Sequence, residues 1–158
     1  GPRMTAMAAE EADGLLVHPF NTTASVEAML AAVPADFPVL GQAIVAVAHD
    51  EAQLAQARTA VRGLVAFYAS TPAYRRVLDA HGWGDLQEEL RELTRGGRWA
   101  ELPTAVPDEV IDAVALVGSA QDVAAGIRAR FARCDRVALS TPHPVATPDL
   151  AELARLLA

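Results

Sequence analysis

Histidines stand at the ends of three apolar runs: "HPFNTT" (18–23) follows "LLV", "HDE" (49–51) follows "VLGQAIVAVA", and "STPHP" (140–144) closes "RVALS". If the runs are neighbouring strands, His18, His49 and His143 share one rim, where imidazoles can hold a metal or move protons. The spacing gives a metal no support, since there is no H-E-x-x-H or comparable pair and each histidine has its own loop. No metal is expected. His18 and Phe20 are the candidate substrate-binding residues, because an aromatic beside a titratable group at a strand end suits a flat ring. The competing reading is a turn held by Pro19 with Phe20 packed inward. His81, in "DAHGWGD" ahead of Gly82, reads as a helix-end residue favoured by the dipole.

A second kind of chemistry is anion binding. "GPRM" (1–4) opens a helix: Gly1 allows close backbone approach, Pro2 pre-forms the first turn, and free N–H groups with Arg3 would face a phosphate. Gly1, Pro2 and Arg3 are therefore the candidate cofactor-binding residues. "TRGGR" (94–98) has a phosphate-loop look, but it ends the helical pattern "DLQEELRELTR", and Gly96-Gly97 is more simply a C-cap. Met4 and Met7, at helical spacing, read as core filler. Cys134, between Arg133 and Asp135, reads as an inert thiol at a helix-to-strand turn. No residue can be named as catalytic acid, base or nucleophile.

These residues need elements to hold them. "LLV" (15–17), "VLGQAIVAVA" (39–48) and "RVALS" (136–140) are apolar on both faces and read as buried parallel strands. Leu54, Ala57, Val61, Leu64, Val65 and Tyr68 fall on one helical face, as do Val123, Ile127 and Phe131. Asp50 with Gln53, Thr71 before Pro72, Ser119, and Thr147 before Pro148 mark helix starts. The order is α, β, α, β, a long helical stretch, α, β, α. The stretch from about 70 to 118, broken at Gly82, Gly84, Gly96-Gly97, Pro103 and Pro107, is expected to be mainly helical, strand-free and packed outside the sheet. Alternation of strand and helix means right-handed βαβ units, and without G-x-G-x-x-G the pattern favours part of a (β/α)₈ barrel over a dinucleotide-binding sheet.

Composition narrows the partners. The 13 basic residues are scattered among 20 acidic ones, giving a formal net charge of −7, which excludes a nucleic-acid surface. No apolar run approaches the ~20 residues of a membrane helix, so the protein is expected to be soluble and without a membrane partner. One cysteine and no signal-peptide pattern make cytoplasm the expected location. At 158 residues one domain is expected, burying roughly 70% of its unfolded surface.

"GPRMTAMAAEEADGLLVHPF", "FYASTPAYRRVLDAHGWGD", "VGSAQDVAAGIRARF" and "DRVALSTP", in this order and spacing, resemble the C-terminal half of the luciferase-like monooxygenase superfamily. The resemblance is to its deazaflavin (coenzyme F420)-dependent oxidoreductase branch and covers essentially the whole chain. It implies a (β/α)₈ barrel of which residues 1–158 supply strands six, seven and eight, with the 70–118 insertion before the last and "GPRM" after strand five, near the cofactor phosphate. It implies hydride transfer on an unidentified small organic substrate, with coenzyme F420 as cofactor and FMN as the alternative. The remaining strands would come from a longer chain or a partner. Gly1-Pro2 as a tag scar, with Met4 as the start, fits less well because Gly-Pro-Arg itself matches the family here. The chain alone is then expected to be inactive and, with open strand edges, to self-associate. The contrasting reading is a non-catalytic module that binds a partner or itself through that edge.

Overall fold

A computed structural model describes residues 1–158. Helix α1 (Pro2–Glu11) leads to a short strand β1 (Leu15–Leu16), helix α2 (Thr23–Leu30) and the long strand β2 (Val39–Val47). Helix α3 (Glu51–Ser70) follows, then a 3-10 turn Pro72–Tyr74, α4 (Arg75–Asp79), α5 (Gly84–Arg95), α6 (Leu102–Ala105) and α7 (Asp108–Val114). Strand β3 (Ala115–Gly118), α8 (Ala120–Arg130), β4 (Arg136–Ser140) and α9 (Thr147–Leu157) complete the chain.

All strand pairs are parallel, and every one involves β2. Leu40 pairs with both Leu16 and Arg136, and Ile44 with both Ala115 and Ser140. Strand β4 therefore occupies one edge of β2 alone, while β1 and β3 share the other, β1 at its N-terminal end and β3 at its C-terminal end. This corrects the expectation of three strands and of a strand-free 70–118. Apolar "AVALV" there is too short for periodicity to separate strand from helix, and the free edge beside Ile44–Val47 decides it. The rest of the insertion is helical as expected. Gly82 and Gly97 stop α4 and α5 with φ of 76° and 72°. At the second, Arg98 N–H reaches back to Leu93 O at 2.9 Å and Gly97 N–H to Thr94 O at 3.1 Å.

Alternation along β2 builds two cores. Val39, Ala43, Val45 and Val47 pack with Val26 and Leu30 of α2, Val123, Ala124 and Ile127 of α8, and Leu153 of α9. Ile44 and Ala46 face the other way, with Phe20, and are covered by Ala57, Val61 and Val65 of α3 and by Leu90, Val110 and Ile111 of the insertion. On that second face Leu40, nearer the strand start, is left exposed, as is Leu16 beside it.

Helix starts follow their caps where the side chain reaches. Asp50 accepts from Gln53 N–H at 2.8 Å, and Ser119 and Asp122 form a reciprocal capping box. Thr71 stands as expected at the N-cap before Pro72, although its Oγ1 turns back to donate to Phe67 O; the α9 start is corrected, its N-cap being Ala146 and not Thr147. Met4 and Met7 are also corrected, being 69% and 58% exposed, because α1 turns Thr5, Ala8 and Ala9 inward.

Gly41 lets α8 lie close to the sheet. A Cβ there would meet Phe131 Cδ1 at 2.6 Å. Gly41→Ala is expected to cost about 1–3 kcal/mol through overpacking, read as a lower urea midpoint at unchanged slope.

Candidate functional site

At the C-terminal ends of β1 and β4 lies an open cleft of about 310 Å³, lined by His18, Pro19, Gln42, Tyr68, Ala138, Leu139 and Ser140. Register puts Gln42, Ala138 and Ser140 on one face, since Gln42 pairs with Ala138 and Ile44 with Ser140, while Leu139 between them pairs with Ala43 and packs against the opposite core. A wider hollow of about 580 Å³, around Leu15, Leu40 and Arg136, opens at the opposite end of the strands. In a parallel α/β sheet the strand C-termini are the chemical end, so the smaller cleft is the candidate.

His18 is fixed from two sides. Phe20 N–H donates to its Nδ1 at 3.1 Å, which leaves the proton on Nε2, 2.9 Å from the Tyr74 hydroxyl. Tyr74 Oη thus accepts, and its own proton is free for another acceptor. The imidazole also meets Tyr68 edge-on at 4.9 Å between ring centres. Burial lowers the His18 pKa below the usual 6.5. Its cation is therefore disfavoured when folded, and protonation costs stability as pH falls below 6.5 towards the folded value. His18→Asn is expected to flatten the loss of unfolding free energy between pH 7 and pH 5, measured by urea denaturation at each pH.

The loop carrying His18 is anchored by Asn21 and by the insertion. Asn21 Nδ2 donates to His18 O and to Gln42 O, both at 2.8 Å. Thr22 Oγ1 lies 2.8 Å from His81 Nε2, and the His81 ring stacks on Trp83 at 4.6 Å. The helix-end position of His81 holds, but its contacts are to the α2 N-cap. Tyr74 and His81, flanking α4, thus both grip the 18–22 loop.

Behind Asn21 lies Arg130, only 6% exposed. Its Nη1 donates to Val114 O at 2.7 Å and Asn21 O at 3.4 Å, and its Nη2 to Ala113 O at 2.8 Å. Burial lowers its pKa to about 10, so it stays charged at neutral pH against the carbonyl end of α7.

A scan against protein-family models matches residues 1–134 to the luciferase-like monooxygenase family. The chain belongs to that family. This luciferase-like chain is 42% identical over 141 residues to the uncharacterized protein Rv1360 of Mycobacterium tuberculosis and equally to Mb1395 of Mycobacterium bovis. Each alignment covers 82% of this chain and 42% of the relative, so the chain spans less than half the length of the curated relatives it matches. Among solved structures it resembles coenzyme F420 dependent tetrahydromethanopterin reductase from Methanopyrus kandleri, with a TM-score of 0.69 at 21% identity. That likeness covers 99% of this chain and 47% of the reductase, and it shows a shared α/β fold.

Of the residues singled out from sequence, the luciferase-like fold brings His18 into the cleft and turns Phe20 away. Phe20 is 2% exposed and belongs to the core, so the inward turn around Pro19 is the correct reading of it. Gly1 caps α1, and Arg3 is exposed on its first turn. Arg76 Nη1 lies 3.2 Å from where a Cβ on Gly1 would stand, so α4 adds a second arginine there. His49 Nε2 bonds Asp149 Oδ1 at 2.9 Å. No three His, Cys, Asp or Glu side chains converge as a metal site. Burial raises the Cys134 thiol pKa, in keeping with an unreactive thiol. Sequence reasoning missed Tyr74, Gln42 and Ser140. Their positions depend on register and on where the insertion lands, and the only local hint is Tyr74 six residues beyond the α3 Tyr68.

Proposed function

We propose that β1, β2 and β4 are strands six to eight of a (β/α)₈ deazaflavin-dependent oxidoreductase that acts on a small organic molecule, with β3 belonging to the 70–118 insertion. The observation that carries this reading is the His18–Tyr74 pair beside a cleft at the strand C-termini, in a member of the luciferase-like family. The fold shared with an F420-dependent reductase supports it. The lining fits one edge of a flat heterocycle: Gln42 and Ser140 offer hydrogen-bonding groups along a rim, while His18, its two nitrogens engaged by Phe20 and Tyr74, and Tyr68 offer ring surfaces.

When bound, deazaflavin supplies the hydride carrier. Gly1, Pro2 and Arg3, with Arg76 beside them, would hold its phosphate; His18 would orient ring or substrate, with Tyr74 offering its free hydroxyl proton. FMN is the alternative occupant. A second reading, a self-associating module, draws on the exposed Leu16 and Leu40 at the open end of the sheet. The reading places the protein in the cytoplasm; no helix is long and apolar enough to cross a membrane.

Absorbance and fluorescence titration of the longer protein with deazaflavin and FMN in parallel tests the cofactor. Saturable deazaflavin binding is expected, and binding of FMN alone would replace it.

A further inference from the structure

On the edge of β2 shared by β1 and β3, the two strands pair at Leu40 and at Ile44, leaving the Gln42 carbonyl between them without a strand partner. Asn21 Nδ2 takes that carbonyl and the His18 carbonyl together. The backbone oxygen of Asn21 is in turn held by Arg130 Nη1, whose guanidinium grips Val114 and Ala113 immediately before β3. One hydrogen-bonded line thus runs from the carbonyl end of α7, through a buried cation, to the loop that presents His18. It is costly to keep: Asn21 Oδ1 and Arg130 Nε are buried without a partner, and a buried guanidinium here faces no carboxylate. Arg133, three residues on, makes a similar bond to Leu30 O at the end of α2, but with no connection to the cleft.

We propose that Asn21 and Arg130 are positioning residues for His18, locking the 18–22 loop so that the imidazole keeps its proton on Nε2, towards Tyr74. The importance of that tautomer for chemistry rests on the function proposed above; the linkage itself does not. Without the lock, the Phe20 N–H to Nδ1 bond, made within the loop, loses the fixed backbone that aligns it. The proton would then exchange between the two nitrogens.

The test is nitrogen-15 histidine NMR on the 158-residue chain, in wild type and in Arg130→Met, Asn21→Ser and Arg133→Met, with circular dichroism to confirm folding. Wild type is expected to show His18 as a single Nε2–H tautomer. In Arg130→Met and in Asn21→Ser, its two nitrogen shifts should converge and its pKa move towards 6.5, the ordinary value. Arg130→Lys, which can restore one donor but not the fork, should recover part of the wild-type signature. Arg133→Met should leave His18 unmoved, because it loses a helix-end bond of the same kind without the link.

An unchanged His18 in either folded variant, or an equal change in Arg133→Met, overturns the proposal. If Arg130→Met does not fold, Asn21→Ser decides. If neither folds, the wild-type spectrum decides, and a tautomerically averaged His18 there rejects the lock. A His18 signature that follows Arg130 while the longer protein ignores deazaflavin would keep the linkage and remove only the cofactor reading.

Discussion

Ile44→Ala should destabilise the protein by about 2–5 kcal/mol, a large share of the 5–15 kcal/mol that typically holds a domain together. Ile44 sits where β2 is paired on both edges, with Ala115 on one side and Ser140 on the other. Its side chain is fully buried in the core shared by α3 and the insertion. Removing three carbons there leaves a cavity that neither edge can close without breaking its ladder. Leu40→Ala, on the same face one turn of pairing earlier, is the control. Leu40 is 36% exposed, so its truncation should cost less than about 1 kcal/mol. Equal losses for the two, by urea denaturation, would mean that the face is not divided into a packed upper part and an open lower part as described.

The second large effect concerns affinity. In the chain joined to the N-terminal region of its Mycobacterium tuberculosis relative, Arg3→Glu is expected to weaken deazaflavin binding about tenfold to a hundredfold, or about 1.5–3 kcal/mol, by replacing a charge-assisted bond to phosphate with repulsion. Arg3 stands on the first turn of α1, where the free N–H groups and the positive helix end already favour an anion. Arg76 is carried to the same place by α4. Fluorescence titration of wild type and variant gives the ratio directly. Unchanged affinity would remove the phosphate assignment and leave the His18 cleft untouched.

Much of this architecture can be read from residue order, and the exceptions have physical causes. The long strand through "AIVAVA", the α3 face from Ala57 to Val65, the Ser119 cap and the Gly96-Gly97 stop depend on local periodicity or local backbone need, and those signals are strong. Strand β3 depends on a vacant edge of β2, which no local pattern announces. Met4 and Met7 are apolar, but burial is decided by what faces them, and α1 turns Thr5 inward instead. At the cleft, His18 is conspicuous because it ends an apolar run. Tyr74 and Asn21 bond it across 56 and 3 positions of sequence, and Gln42 is tied in through Asn21 across 21; only the Asn21 bond is local. Arg130 reads as a basic residue in the last turn of a helix; its role emerges only when α7 ends against it.

The central claim is that residues 1–158 provide the His18 side of a deazaflavin pocket whose other walls come from the remaining barrel. Its most direct measurement is a fluorescence titration with deazaflavin of two proteins: the 158-residue chain alone, and the same chain joined behind the N-terminal region of its Mycobacterium tuberculosis relative. The account predicts saturable binding by the joined protein, weakened by His18→Ala, and no useful affinity in the chain alone, because a ring cofactor needs most of its surface enclosed. Equal, tight binding by the unaccompanied chain, or a folded joined protein that binds no deazaflavin, would contradict it.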